Sequence, residues 1–228
     1  MTLEEVIEPL VSPINGQRPR PWFTHCSDPE GARVFVVGMN QASAYPVGAV
    51  SHAEHLDALF NRGGLTCEGL YQRLGFEGKS RAFIDRFCTA LSVRGIDDVL
   101  QTNVVCYATK KSASALSRPE HRDGRARGKE LFRTVVAHVK PRIIVVHGQE
   151  SSRELKKALG VKFEDPPSNR GPATSVVHAT RVMLDNHPVQ IIAIPTLAKP
   201  GVNSWMPWQS PYFDTVARHI ETELGRES

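Results

Sequence analysis

The stretch PRIIVVHG, residues 141–148, decides how this sequence folds. It sets four consecutive Ile and Val residues before a His-Gly pair, with none of the polar alternation that marks a half-exposed strand. Such a run predicts a short strand that is buried on both faces of a sheet. Three further runs have the same character: ARVFVVG (32–38), DDVLQTNVVCY (97–107) and VQIIAIP (189–195).

Amphipathic helical patterns lie between these runs, at 80–95, 124–141 and 150–160, and a fourth closes the chain at 210–225. Strands that alternate with helices predict right-handed crossovers and a parallel sheet with helices on both faces. We therefore expect a three-layer α/β/α fold around a mainly parallel sheet of four to five strands. Residues 176–184 fit an added edge strand or hairpin. We expect one domain over 1–228, with an N-terminal helix and loop over 1–30.

Composition excludes several classes of protein. The 228 residues are 40% hydrophobic and 23% charged, which argues against wholesale disorder. No apolar run approaches the ~18 residues of a membrane span, and the N-terminus has no secretory pattern. The four cysteines form no CxxC pair and predict reduced thiols in a cytoplasmic protein. His52, His55 and Cys67 lack a fourth zinc ligand, so we expect no metal and no cofactor.

Polar residues follow each predicted strand, and ligands bind at this edge of parallel sheets. Asn40 follows the first strand and Asn103 lies in the second. His147 ends the third and either supports the structure or lines the pocket, and Thr196 follows the fourth. Glu150 is the single acid among the residues that follow the strands. A neutral to basic crevice of this kind suits a substrate with phosphates and an amide-like edge, such as a base in DNA.

Four motifs in this order resemble the uracil-DNA glycosylase superfamily. Gly38-Met39-Asn40 resembles the first motif of its mismatch-specific and single-strand-selective branches, and residues 102–105 resemble the T-N-x-V strand of the thermostable branch. Residues 140–148 resemble the K-P-x-x-I-x-x-x-G strand, and 195–197 stand where the family has H-P-S or M-P-S. The resemblance covers about 31–224 and implies hydrolysis of an N-glycosidic bond after base flipping.

The resemblance also implies roles for particular residues. Asn40 would position the attacking water. The base would be bound by Met39, Gln41, Ala42, Tyr45 and Asn103, and DNA by Lys110, Lys111, Ser151, Thr196, Lys199 and Asn203. A basic run, Arg118, Arg122, Arg125, Arg127 and Lys129, would add attraction to the backbone or form a solvated face. The base-stacking ring is open among Tyr45, His52, His55 and Phe60. We expect DNA as the partner, no membrane, and a monomer.

The sequence departs from the family at three points. Gln41 replaces a proline, and Ala42 stands where the uracil-specific branch has a tyrosine that blocks C5 substituents. Thr196 falls within a third motif that has lost its histidine. The expected substrate is uracil, a mismatched pyrimidine or a C5-modified pyrimidine, including a modified base of phage DNA; the small Ala42 favours a base other than plain uracil, and the lost histidine predicts slow turnover. The family's iron–sulfur cysteines are not matched. Two alternatives stay open: an inactive lesion-binding module, and a nucleosidase that acts on free nucleosides.

Overall fold

The computed structural model describes residues 1–26, 28–76, 81–109, 117–167, 177–198 and 208–226. The strands in chain order are β1 (Gln17–Arg18), β2 (Trp22–Phe23), β3 (Val34–Gln41), β4 (Tyr45–Pro46), β5 (Val99–Ala108), β6 (Ile143–His147), β7 (His178–Leu184) and β8 (His187–Ile194). The α-helices are α1 (Leu3–Ile7), α2 (His52–Leu59), α3 (Cys67–Arg73), α4 (Arg81–Ser92), α5 (Arg122–Val139), α6 (Gln149–Leu159) and α7 (Gln209–Gly225). A short 3-10 helix, Pro119–His121, precedes α5.

Within the described residues the central sheet has six strands, in the order β2-β5-β3-β6-β8-β7. The inner four are parallel, and β2 and β7 pair antiparallel at the two edges. The predicted three-layer α/β/α fold is confirmed. The strand of this sheet that the sequence did not predict is β2, which is two residues long and too short to carry a pattern, as are β1 and β4, which pair in a separate two-stranded sheet. The predicted hairpin is β7–β8, whose turn residues Asp185 and Asn186 both have positive φ.

Each face of the sheet packs against its own helices, which explains why the strands lack alternation. Phe35 and Val37 of β3 belong to a core that includes residues of α1, α5 and α6. Val34 and Val36 point the other way, into a core built with α4 and α7. Among the described residues, no helix is both long enough and apolar enough to cross a bilayer.

Helix α5 approaches β5 unusually closely. A Cβ on Gly124 would overlap the buried Tyr107 ring, and one on Gly128 would lie 3.0 Å from the Cys106 backbone nitrogen. The Tyr107 hydroxyl is hydrogen-bonded to Asn15 Nδ2 and to His121 Nδ1, both at 3.0 Å. The two glycines therefore let α5 pack against a ring that hydrogen bonds hold in place.

Candidate active site

Two polar side chains converge above Gly38, near the carboxyl end of β3. Gly38 pairs with Asn103 of β5, and His147 ends β6 on the other side of β3. A Cβ on Gly38 would lie 2.8 Å from Asn103 Oδ1 and 3.1 Å from His147 Nε2. A Cβ here would force the ends of both side chains to move, so glycine lets the two side chains come together in this arrangement. Alternate residues of a strand point to the same face, so Gly38 shares the face of Val34 and Val36. This crevice therefore lies on the face of the sheet that α4 and α7 cover.

The protonation state of His147 is fixed by its surroundings. The residue is 7% exposed, and its burial lowers the pKa of the imidazole to about 4. The ring is therefore neutral at pH 7. Its Nδ1 accepts a hydrogen bond from the Leu197 backbone N–H at 3.4 Å, which assigns the proton to Nε2. His147 thus offers an N–H donor on the Gly38 side of its ring, and no described residue accepts that hydrogen bond.

Asn40 is held in a defined orientation at the end of β3. The pairing of β3 with β5 shifts register between Asn40 and Gln41, and the Asn40 side chain is half-buried there. Its Nδ2 donates to the Gln41 carbonyl and to Thr109 Oγ1, both at 3.1 Å. This arrangement assigns the amide oxygen as the group that remains to accept a hydrogen bond. No described residue donates to that oxygen.

The other residues assigned to base binding lie in different surroundings. Met39 packs with Val105 and Tyr107, and Ala42 is exposed. Gln41 is buried, and its Nε2 donates to the Arg20 carbonyl. Tyr45 is 1% exposed, contacts Arg20 and His55 with its ring, and donates its hydroxyl to the Cys67 carbonyl at 2.8 Å. The structure therefore brings Asn40, Asn103 and His147 to one edge of the sheet but packs Met39 and Tyr45 against protein.

The remaining candidates for the stacking ring are also packed against protein. His55 is fully buried beside Tyr45, and Phe60 makes an edge contact with Trp22. His52 is half-buried and lies 3.5 Å from Arg18 Nη1 through its Nδ1. Within the described ranges, no group of three or more His, Cys, Asp or Glu side chains could hold a metal ion.

The predicted DNA contacts are described only in part. Lys110, Lys111, Lys199 and Asn203 lie outside the described residues. Ser151 is buried in the first turn of α6, and Thr196 is half-buried against Gly148. Several members of the basic run are bound to acids: Arg125 and Lys129 pair with Glu154, and Arg118 pairs with Glu120. These ion pairs reduce the charge that the run offers to a DNA backbone.

The cysteines are poorly suited to act as nucleophiles. Cys67 and Cys106 are fully buried, and burial raises the pKa of the two thiols to about 11 and about 12. The reactive thiolate is therefore scarce at neutral pH. The polar groups that converge at this edge are amides and an imidazole.

The sequence alone leaves the role of His147 open and gives no indication of a role for Arg20. For His147, the available signal in the sequence was a histidine directly before a glycine at the end of a strand. The chain matches no family model and no curated protein sequence. The case for a function therefore depends on the residues of the crevice and their geometry.

Proposed function

We propose that this protein is a monofunctional DNA glycosylase that flips a pyrimidine nucleotide into the crevice and hydrolyses its N-glycosidic bond. The observation that carries the proposal is the convergence of Asn103 and the neutral His147 above Gly38. A half-buried amide and a buried imidazole N–H side by side form a hydrogen-bonding edge. Such an edge complements the polar edge of a pyrimidine base and has no evident use in the packing of the fold.

The hydrogen-bonding pattern of this edge fits a keto pyrimidine. The Asn103 amide can donate to the O4 carbonyl and accept from N3–H, while His147 donates from Nε2 to the O2 carbonyl. If the Asn103 amide is rotated by half a turn, its oxygen accepts a hydrogen bond from the amino group of cytosine and its nitrogen donates one to cytosine N3. In both cases His147 contacts the carbonyl next to the glycosidic nitrogen, where negative charge develops as the base departs.

Asn40 completes the reaction as the group that positions water. Its amide oxygen accepts a hydrogen bond from a water molecule, whose oxygen forms the new bond to C1′. The N-glycosidic bond breaks, the base leaves with the electron pair, and the proton lost by the water ends on the base. An amide is a weak base, so turnover is slow. The exposed and small Ala42 leaves room beside C5 for a substituent.

The decisive experiment is a chromatographic assay for free bases released from DNA. The panel contains uracil, G·T and G·U mismatches, and phage DNAs with modified pyrimidines. The wild-type protein should release at least one base, and Asn40→Ala should slow that release by about 100-fold or more. A panel that stays intact with the wild-type protein would sink the proposal and favour a lesion-binding module, or a nucleosidase if free nucleosides are cleaved.

A pair of glycine substitutions tests the geometry. Gly38→Ala should abolish release with the fold intact, because the new methyl group pushes the ends of two side chains apart without meeting backbone. Gly48→Ala is the matched control, since no atom lies within 4 Å of its added methyl group. Equal rates for the two variants would show that the convergence above Gly38 has no part in catalysis.

A further inference from the structure

A buried arginine lies among three aromatic rings near the candidate active site. Arg20 is 8% exposed, and its guanidinium carbon lies 4.7 Å from the centroid of Tyr45, 5.6 Å from Phe23 and 5.7 Å from Tyr71. Rings stabilise a guanidinium through cation–π attraction and leave its N–H donors to bind in the plane of the group. The rings hold Arg20 in place, and the Tyr45 hydroxyl is an acceptor beside the guanidinium, but Nη1 has no partner among the described residues.

No described carboxylate pairs with Arg20, and its Nη1 is buried without a hydrogen-bond partner. The neighbourhood carries further positive charge. Arg18 is 6% exposed and donates from Nε to the Val50 carbonyl at 2.7 Å. Arg81 lies 3.8 Å from the centroid of the Phe23 ring and is paired with Asp85 at 2.6 Å. The three arginines therefore share one described carboxylate.

This group of three arginines, Arg18, Arg20 and Arg81, borders the candidate active site. The Arg20 carbonyl accepts a hydrogen bond from Gln41, the residue after Asn40. Phe23 pairs with Gln101 across the sheet, two residues before Asn103. Arg81 begins α4, which covers the same face of the sheet as Gly38. These contacts place the segment that carries Arg20 beside the strands of the proposed base pocket.

We propose that Arg20 is a phosphate-binding residue that contacts the DNA backbone beside the flipped nucleotide. Burial of an unpaired charge is costly, and an incoming anion would relieve that cost. The planar guanidinium matches two oxygens of a phosphodiester, which a lysine would not do. The identity of the anion rests on the proposed function, because a crevice for a flipped nucleotide places a phosphodiester within reach of its rim.

The test measures DNA binding as a function of salt with an oligonucleotide of normal bases. Fluorescence anisotropy gives the slope of log K against log salt concentration for the wild-type protein and for Arg20→Met, which removes the charge but keeps a long apolar side chain. Loss of one phosphate contact should reduce the slope by about one. Arg133→Met is the matched control, because Arg133 is exposed beside Asp185 and His187 at the opposite edge of the sheet.

An unchanged slope in a folded Arg20→Met variant would overturn the inference. If that variant does not fold, the wild-type protein provides the measurement: inorganic phosphate should raise its melting temperature above that in chloride at equal ionic strength. No such rise would count against the site. Binding of thymidine monophosphate as tightly as the oligonucleotide would assign the site to free nucleotides and overturn the DNA assignment.

The failure of this inference can be separated from failure of the proposed function. If bases are released but the salt slope is the same with and without the Arg20 charge, the glycosylase proposal stands and the phosphate site is rejected. If the salt slope depends on Arg20 but no base is released, the phosphate site stands and the glycosylase proposal is rejected. The two assays use different DNAs and different readouts, so neither result depends on the other.

Discussion

Two buried charges in this protein have opposite surroundings. The Glu154 side chain, 8% exposed on α6, is paired with Lys129 at 2.6 Å, Arg125 at 3.2 Å and Lys157 at 3.3 Å. Arg20 is equally buried but has aromatic rings in place of described carboxylates. A charge that the protein pairs internally serves the fold. A charge left without a counter-ion is better explained by something the protein binds.

The same contrast extends to neutral polar groups. The buried hydroxyl of Tyr107 is hydrogen-bonded to two protein side chains. His147, by contrast, has a hydrogen-bond partner for Nδ1 but none among the described residues for Nε2. His147 lies at the end of β6, beside Gly38 of β3 and Asn103 of β5. The polar groups of Tyr107 and Glu154 are thus satisfied by the protein, whereas the Nε2 donor of His147 at this edge has no described acceptor.

The largest effect on stability is expected at Glu154. Burial alone would raise the pKa of this carboxyl, but the hydrogen bond and charge of Lys129, together with Arg125 and Lys157, outweigh it and lower the pKa to about 2. Glu154→Gln should reduce the free energy of unfolding by about 3 kcal/mol at pH 7, measured by urea denaturation. The exposed Glu150→Gln on the same helix is the control and should change it by less than about 0.5 kcal/mol.

The contribution of Glu154 to the free energy of unfolding should depend on pH in a defined direction. Because the folded-state pKa lies below the unfolded value of about 4.3, the contribution is complete above that pH and is lost as pH falls towards 2. Glu154→Gln should therefore lose its difference from the wild-type protein in that interval. A variant that stays equally destabilised at pH 2 would show that packing, not charge, explains the effect.

A smaller effect is expected where α5 meets β5. Gly124→Ala improves helix propensity by about 1 kcal/mol, but its methyl group overlaps the Tyr107 ring. We expect a net loss of about 2 kcal/mol in the free energy of unfolding, with DNA binding and base release per folded molecule unchanged. The comparison with Gly38→Ala is direct, since the same substitution should cost stability at one glycine and activity at the other. Loss of activity in both variants would remove the distinction between the two regions.

The smallest effect at pH 7 is expected from His147→Phe, which replaces an incompletely bonded imidazole by a ring of similar shape. The free energy of unfolding should fall by about 1 kcal/mol at that pH because the buried Leu197 N–H loses its acceptor, while base release falls sharply. Burial lowers the pKa of His147 to about 4, and burial together with the charges of Arg20 and Arg18 lowers that of His55 to about 3.

These two histidines predict a dependence of stability on mildly acidic pH. Their folded-state pKa values lie below the unfolded value of about 6.5, so the unfolded chain binds more protons and stability falls as pH drops from 6.5 towards 4. Each histidine contributes up to about 1.4 kcal/mol per pH unit. Replacing either by Phe should flatten this slope in urea titrations. An unchanged slope in His147→Phe would mean that its ring is not held neutral.

The strands and layers could be predicted from the sequence because the four buried runs have a simple cause: helices cover both faces of the sheet. The position of Asn40 near the end of β3 and that of Asn103 within β5 followed from the same pattern. The state of His147 could not be predicted, because its tautomer depends on the Leu197 N–H, fifty residues away in the chain. Arg20 lay in a segment read as a loop, and its rings come from three separate segments.

The sequence also could not show which way the residues after β3 point. Gln41 and Tyr45 were predicted to bind the base, and both are buried, one bonded to the Arg20 carbonyl and the other to the Cys67 carbonyl. Their orientation is decided by the register shift at Asn40 and Gln41 and by the pairing of β4 with β1. Such tertiary constraints leave no periodic signal in the sequence.

Asn103 and His147 belong to strands rather than to loops, and this has a consequence for how the proposed activity would diversify. Their spacing is set by the hydrogen bonds of the central sheet, so insertions or exchanges in the connecting loops would leave it unaltered. Variants with grafted loops could therefore change which substituents or DNA shapes are accepted while the hydrogen-bonding edge stays the same. For protein engineering, the sheet would be the fixed part of the site and the loops the adjustable part.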